Sequence, residues 1–350
     1  MSAAVTRALE RVVRVCDDVD DGRTLRLVLL DEIRRVVPFG PYAWLLTDPE
    51  TEVGAAPLAD VPCIDDLPHL IRLKYQTSVN RWTQLPGPVA CLRGPAGDRR
   101  QSSLVWRELL VTYAVTDVAS MVFRDQFGCW GFLDLWRVDP GSSFTGEEME
   151  YLAAIVPPVT RALRRAQGRT FELPPPSLER TGPVVLVLSP ELEVRAQTPE
   201  TEQYLARLLP PDADRRPIPA AAYNVAAQLI AVESGVDDHP PVARVHLERG
   251  AWLTLRASRI GDAAPIDHRD IAVTIELASA TERMALFGRA HGLSAREVEV
   301  LDHLRAGADT RQVAAQMFLS RHTVQDHLKS IFAKTGTRNR RTLLARALGR

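Results

Sequence analysis

The chain has 350 residues, 45% of them hydrophobic and 25% charged, which excludes a wholly disordered protein and is enough for two or three folded domains. Its apolar runs fall far short of the ~20 residues that cross a bilayer, and its first residues lack the apolar core of a secretory signal, so we expect a cytoplasmic protein without membrane contact. The four cysteines are widely spaced and form no C-x-x-C motif, so we expect no metal site: Cys16, Cys63, Cys91 and Cys129.

The net charge of −1 conceals an uneven distribution along the chain. Residues 288–350 contain 12 Lys and Arg against 5 Asp and Glu, whereas the rest of the chain contains 31 against 39. A short basic end on an acidic body predicts a module that binds a polyanion, although a solvated basic tail has the same composition.

The first 167 residues mix helix and strand signals. Apolar residues at helical spacing predict a helix over residues 24–37, and the next apolar run predicts a strand that ends in a turn at Asp48 and Pro49. Residues 117–125 and 129–138 alternate in a way that predicts a pair of strands joined by a short turn.

A capping box and a run of prolines mark the end of this segment. Thr145, with Glu148 three residues later, predicts the start of a long amphipathic helix, which Pro157 and Pro158 should kink. Residues 168–183 include three consecutive prolines, which favour an extended linker because proline donates no backbone hydrogen bond.

Residues 184–280 predict two strands, two helices and three further strands. This order indicates one antiparallel sheet with helices on one side, an α+β unit. The predicted elements are, in order, residues 184–188, 192–197, 199–209, 220–234, 241–249, 251–260 and 271–279.

Residues 288–350 predict four helices whose ends are well marked, the first ending at Gly307 and the third at Gly336. Three of them begin with a capping residue, two with a reciprocal Glu or Gln: Ser294 with Glu297, Asp309 with Gln312, and Ser320. The residues expected to be buried in the first and fourth helices are Val298, Leu301, Leu304, Leu343, Leu344, Ala347 and Leu348.

The second and third of these helices lie close enough along the chain for a helix-turn-helix. In the third helix Val324, Leu328 and Ile331 share one face, which we expect to be buried. The opposite face presents cationic and amide groups of the kind that contact base edges and phosphates: Arg321, His322, Gln325, Asp326, Lys329 and, at the end, Lys334.

These residues closely resemble the LuxR-type (LuxR/FixJ) DNA-binding helix-turn-helix domain, over about 60 of the 350 residues. The matching positions are Leu293, Ser294, Arg296, Glu297, Glu299, Val300, Leu301, Gly307, Val313, Ala314, Leu319, Ser320, Thr323, Val324, His327, Leu328, Ile331, Lys334, Gly336, Asn339 and Arg340. The resemblance implies a four-helix domain that binds duplex DNA and dimerises through residues 341–348. The implied DNA-binding residues are Arg321, His322, Thr323, Gln325, Asp326, Lys329, Lys334, Arg338 and Arg340.

The sequence departs from the family pattern at three positions. Gln325 stands where a basic residue is frequent, Asp326 adds an acid to the expected reading face, and Thr335 stands where leucine is usual. Glutamine can pair with adenine and an acid can accept from cytosine, so these departures leave the operator sequence open.

The front of the chain resembles sensor domains only at the level of element order. Residues 1–167 resemble a GAF-type domain and residues 184–280 a PAS-like domain. A phosphate-accepting receiver is disfavoured because Lys74 follows Asp48 by only 26 residues, and no P-loop or lactone-domain pattern is present. We expect five tryptophans in this segment to pack in the core rather than to line a ligand pocket: Trp44, Trp82, Trp106, Trp130 and Trp136.

We therefore expect a multidomain α+β protein with a GAF-like domain (1–167), a proline-rich linker (168–183), a PAS-like domain (184–280) and an all-α helix-turn-helix domain (288–350). The expected function is transcriptional regulation through duplex DNA as a homodimer, without catalysis. A small-molecule effector and RNA polymerase are further expected partners, and the cofactor is left open. The alternatives are an enzyme or a protein-interaction module in the front segments, with DNA binding secondary.

Overall fold

The computed structural model describes residues 3–94, 97–172, 184–208, 219–247, 250–262 and 265–349. Most of the linker predicted at 168–183, including its three prolines, lies outside the described residues. None of the described helices combines the length and apolar character that a bilayer span requires.

The first region contains a five-stranded sheet with helices around it. Its helices and strands are α1 (Ala3–Asp18), α2 (Gly22–Arg34), β1 (Tyr42–Thr47), β2 (Gly54–Asp60), α3 (Leu67–Gln76), β3 (Val89–Cys91), β4 (Arg93–Gly94), β5 (Gly97–Asp98), α4 (Leu104–Glu108), β6 (Asp117–Asp125), β7 (Gly128–Arg137) and α5 (Gly146–Arg169). The sheet has the order β2-β1-β7-β6-β3, and its neighbouring strands pair antiparallel. The predicted strand pair is β6 and β7.

Strands β6 and β7 are buried along almost their whole length, so the sheet is covered on both faces. The five tryptophans of this region are all buried, and two of them stack on phenylalanines. Trp44 lies 5.4 Å from Phe123, and Trp82 lies 4.9 Å from Phe132, as ring centroids. This packing agrees with the core role predicted for the five tryptophans, although Trp82 and Trp136 also line a cavity.

Helix α5 begins as its capping box predicts. The Thr145 backbone N–H donates to Glu148 Oε2 at 2.8 Å, and the Glu148 N–H donates to Thr145 Oγ1 at 3.3 Å. The helix is continuous through Pro157 and Pro158, so the prolines do not end it, and the expected kink stays a prediction.

The second region contains the predicted strands and helices. They are β8 (Val184–Leu188), β9 (Val194–Gln197), α6 (Pro199–Leu208), α7 (Ala220–Glu233), β10 (Val242–His246), β11 (Trp252–Arg259) and β12 (Ile271–Leu277). The sheet has the order β10-β11-β12-β8-β9. When the five strands of each sheet are numbered along the chain, both sheets follow the order 2-1-5-4-3.

Helix α7 connects the two regions. Residues 220–228 are all buried, because α7 packs against α3 and β2 of the first region. Arg244 of β10 reaches the first region as well: its Nε lies 2.6 Å from Asp48 Oδ2, and its second nitrogen lies 2.7 Å from Glu50 Oε2. The described parts of residues 1–163, 180–245 and 253–276 form one compact unit. The domain bounds 1–167 and 184–280 stay predictions.

The second compact unit is mainly helical. Its helices are α8 (Ala280–Ala290), α9 (Ala295–Arg305), α10 (Thr310–Gln316), α11 (Arg321–Thr335) and α12 (Arg340–Leu348). Phe171 and Trp252 also belong to this unit, where Phe171 packs against Trp252, Phe287 and His291. The predicted domain start at residue 288 lies inside α8, which a capping box of Ser279 and Glu282 begins.

Candidate nucleic-acid interface

Helices α9, α10 and α11 begin at the predicted capping residues. Ser294 with Glu297, and Asp309 with Gln312, form reciprocal capping boxes, and Ser320 Oγ accepts from the Thr323 N–H at 3.0 Å. Gly336 ends α11 with φ of 62°, a left-handed conformation that glycine adopts at little cost. These local contacts define where each helix begins, and so where α11 presents its side chains.

The turn between α10 and α11 comprises residues 317–320 and is longer than the sequence predicted. Helix α10 ends at Gln316, because Phe318, two residues later, adopts a φ of 56°. The N–H groups of Phe318 and Leu319 return to the carbonyls of Ala315 and Ala314. Phe318 is consequently 95% exposed, which its hydrophobic side chain did not indicate.

The inner face of α11 is apolar, as predicted. Val324, Leu328 and Ile331 are all buried, with at most 6% exposure. Thr335, which replaces a usual leucine, is buried too, and its hydroxyl lies 2.8 Å from the Ile331 carbonyl and 2.8 Å from Thr337 Oγ1. The polar departure is therefore accommodated, because its hydroxyl is hydrogen-bonded.

Five of the nine predicted DNA-binding residues share the outer face of α11. All five are exposed: Arg321, His322, Gln325, Asp326 and Lys329. The Asp326 carboxylate lies between His322 and Lys329, 3.5 Å from His322 Nε2 and 3.5 Å from Lys329 Nζ. This face carries cationic, amide and carboxylate groups that reach solvent, beside a helix N-terminus whose dipole favours anions.

The other four predicted residues have different surroundings. The Thr323 side chain is half-buried beside its cap partner Ser320, and Arg338 is exposed beyond the end of α11. Lys334 Nζ lies 2.7 Å from Glu297 Oε2, and Arg340 donates to Thr310 Oγ1. Lys334 and Arg340 thus also hold the helices of the domain together.

Glu297 connects α9 to α11, a role that the sequence analysis missed. Its carboxylate accepts hydrogen bonds from Ser330 Oγ at 2.6 Å, Lys334 Nζ at 2.7 Å and the Ser294 N–H at 2.6 Å. Burial alone would raise the pKa of this carboxyl group, but the bonds from Lys334, Ser330 and Ser294 lower it to about 2.

The burial pattern of α9 explains the omission. Glu297 is buried with Val300, Leu301 and Leu304, at the spacing i, i+3, i+4 and i+7 of one helix face. The predicted stripe placed Val298 in this face, and that was wrong, because Val298 is only half-buried. The periodicity of α9 would have identified Glu297 as a buried residue if acidic residues had been counted as members of the buried face.

In the first compact unit, the residues that mimic a receiver or a metal site are already paired. Asp48 is fully buried against Arg244, and Lys74 Nζ lies 2.8 Å from Asp134 Oδ2. The ligand atoms of Asp237, Asp238 and His239 lie within 4.8 Å of one another, a grouping that the sequence analysis did not identify.

Hydrogen bonds account for the Asp237 carboxylate without a metal ion. It accepts from Arg81, from Thr83 Oγ1 at 2.9 Å and from the His239 N–H at 2.9 Å. Burial would raise the pKa of Asp237, but the bonds from His239 and Arg81 hold it far below its ordinary value. The Asp237 carboxylate is therefore the charged partner of Arg81, and this ion pair joins the second region to the first.

The helical region of this chain is similar to regions of known proteins. Residues 291–347 match the family described as bacterial regulatory proteins, luxR family. The CsgBAC operon transcriptional regulatory protein of Escherichia coli (strain K12) is 42% identical over 48 residues, 14% of this chain and 22% of that protein. The monoamine regulon transcriptional regulator of Klebsiella aerogenes is 43% identical over 54 residues, 15% of this chain and 24% of that protein. The chain thus spans about a quarter of the length of these curated relatives.

Among solved structures, the chain is similar to the bacteriophytochrome RpBphP3 of R. palustris. The match covers 78% of this chain and 62% of that chain, with 12% identity and a TM-score of 0.33. Its chromophore-binding domain gives 15% identity and a TM-score of 0.30, over 44% of this chain and 58% of that chain. Scores this low carry no argument about the fold or ligand of this chain. What is shown is that the C-terminal region carries a helix-turn-helix domain of the luxR type.

Proposed function

We propose that this protein is a DNA-binding transcriptional regulator in which α11 enters the major groove of duplex DNA. The observation that carries the proposal is the division of α11 into a buried apolar face and an exposed polar face, inside a luxR-type domain. The exposed face offers a cation, Lys329, and an amide, Gln325, the side-chain types that bind phosphates and base edges.

Dimerisation is part of the proposal, because half-sites one helical turn apart require two reading helices. Leu343 and Ala347 of α12 are fully buried, and α12 packs against α8, where Arg283 donates to the Arg346 carbonyl at 3.1 Å. Leu344 and Leu348 are only half-buried. A dimer contact through residues 341–348 would therefore use Leu344 and Leu348.

We also propose that the front regions sense a signal, as GAF-like and PAS-like domains in a cytoplasmic regulator that works with RNA polymerase. The shared 2-1-5-4-3 strand order supports two domains of related architecture. A catalytic role has less support. Burial raises the pKa of the Cys63 and Cys129 thiols, to about 11 and about 12, so neither is a ready nucleophile.

DNA binding by the full-length protein tests the proposal. Duplexes selected from a random library would be titrated by fluorescence anisotropy between 50 and 200 mM salt, with Lys329→Ala and the matched control Arg296→Ala, an exposed cation on α9. We expect log K to fall steeply with log[salt], by about 0.9 per neutralised phosphate, and Lys329→Ala alone to weaken binding. Binding that ignores salt, or that both substitutions affect equally, would sink the assignment and favour an acidic protein as the partner.

A further inference from the structure

A cavity of about 410 Å³ lies in the first compact unit, within the size range of small-molecule sites. Its lining comes from β1, β2, α3, β6 and β7 of the first region and from α7 of the second. Most of the wall is aliphatic, contributed by residues such as Leu70, Leu92 and Val118 that belong to a buried cluster. Such a wall favours a ligand with a large apolar part.

The buried charges at this cavity cancel each other. Lys74 Nζ lies 2.8 Å from Asp134 Oδ2, both side chains are 7% exposed, and Trp82 Nε1 donates to Asp134 Oδ1 at 2.8 Å. The other two charged residues of the lining, Arg23 and Asp60, are exposed and of opposite sign. A charged ligand would lose its hydration in the interior without finding an unpaired counter-charge, which is costly.

Three polar side chains of the lining have buried atoms without a hydrogen-bond partner among the described residues. They are Asn80 Oδ1, Trp136 Nε1 and both amide atoms of Asn224, in residues that are 5%, 2% and 1% exposed. Buried polar groups are almost always paired, so three at one cavity indicate a bound molecule that supplies the partners. Asn80 Oδ1 requires a donor, Trp136 Nε1 requires an acceptor, and Asn224 can take either.

We propose that this cavity binds an uncharged, mainly apolar small molecule that both donates and accepts hydrogen bonds. This inference rests on the sensor role proposed above and gives it a site and a ligand class. Because Ala220 and Asn224 belong to α7, the bound molecule contacts both sheet regions at once. Binding of the molecule would therefore affect the second region as well as the first.

Three molecules with one ring system test the ligand class on the full-length protein by titration calorimetry. 1-Naphthamide is neutral and has a donor and an acceptor, naphthalene has neither, and 1-naphthoate is an anion. We expect 1-naphthamide to bind at least tenfold more tightly than either of the others. Equal or tighter binding of 1-naphthoate, or no binding of 1-naphthamide up to its solubility, would overturn the proposal.

Two tryptophan substitutions test the site. Trp136→Phe removes the unpaired donor at the cavity. Trp44→Phe is the matched control, because Trp44 Nε1 is also buried without a partner among the described residues but lies outside the lining. We expect Trp136→Phe to lower the affinity for 1-naphthamide about tenfold, towards that of naphthalene, and Trp44→Phe to leave it unchanged. Equal effects of the two substitutions would overturn the assignment, with circular dichroism confirming that both proteins are folded.

DNA binding in the same preparations separates this inference from the proposed function. If 1-naphthamide fails to bind while salt-dependent DNA binding persists, the ligand class is wrong and the regulator stands. If 1-naphthamide binds as expected but DNA is not bound, the site stands and the regulatory function fails.

Discussion

The two compact units use charge in opposite ways. In the sheet-containing unit, charged side chains are turned inward and paired, as in Arg244 with Asp48 and Lys74 with Asp134. In the helical unit, the cationic side chains of Arg321 and Lys329 point to solvent. Inward pairs cancel each other and leave the interior neutral, whereas outward cations remain available to a polyanion. The contrast suits a small neutral ligand in one unit and DNA on the other.

One residue of the helical unit is an exception, because its charge is buried and paired as in the sheet-containing unit. Glu297 is this buried acid, and it forms an ion pair with Lys334. Lys334 is therefore not a free cation. The basic surface is therefore smaller than the charge count of residues 288–350 suggests. Charge turned inward holds helices in place here too, and the number of DNA contacts should follow the cations that remain free.

The largest expected effect comes from breaking an inward pair. Asp48→Ala leaves the Arg244 guanidinium buried at 6% side-chain exposure without its main partner. We expect a loss of about 3–5 kcal/mol in the free energy of unfolding, since an uncompensated buried charge is costly. Urea unfolding followed by tryptophan fluorescence measures it.

Asp302→Ala is the control for that experiment. It breaks an exposed pair with Arg305 on α9 and should change stability by less than about 1 kcal/mol. Similar losses from both substitutions would contradict the distinction between inward and outward charge.

Glu297→Gln tests the exception. The pKa of Glu297 is lowered from 4.5 to about 2, so its ionisation contributes about 3 kcal/mol of stability at neutral pH. Because the folded-state pKa is the lower one, this contribution is complete above pH 4.5 and is lost as the pH falls through 2. Unfolding measured from pH 7 to pH 2 should show a large deficit for Glu297→Gln at pH 7 that shrinks towards pH 2.

Glu299→Gln provides the comparison on the same helix. Glu299 is 43% exposed and pairs only with Arg296 among the contacts described for it, so its substitution should have little effect at any pH. A deficit of Glu297→Gln that is independent of pH would mean that its charge is not what stabilises the domain.

Features determined by neighbours in the chain could be predicted from the sequence. The capping boxes at Ser294 and Asp309 involve residues three positions apart, so the sequence contains the whole interaction. The same rule applied to Ser279 would have found the start of α8. The buried face of α11 followed from its periodicity for the same reason.

Features that depend on distant residues could not be predicted in this way. Lys74 and Asp134 are far apart in sequence, and the cavity beside them needs α7 as well, so no local pattern signals it. Glu297 was recognised as a cap but not as the partner of Lys334, because that contact joins two helices. Tertiary packing decides both, and periodicity reports only which face is apolar.

A moderate effect is expected from the outward amide. Gln325→Ala should cost about 1–3 kcal/mol of DNA-binding free energy if the side chain contacts a base edge, and should relax preference at one base pair. Competition between a selected duplex and its single-base variants measures this change. Val324→Ala, on the buried face, is the control and should lower stability through core truncation. An unchanged base preference in folded Gln325→Ala protein would remove Gln325 from the reading face.

The smallest effect, and the most direct test of outward charge, concerns Lys329. Its side chain is 75% exposed and lies near only Asp326 among the acids described, so Lys329→Ala should change unfolding by less than about 0.5 kcal/mol. If Lys329 contacts a phosphate, the salt slope of log K should fall by about 0.9 while base preference is unchanged. Asp326→Asn should act in the opposite direction, because it removes the acid that competes with phosphate for Lys329. Equal salt slopes for the parent and Lys329→Ala would place Lys329 away from the DNA.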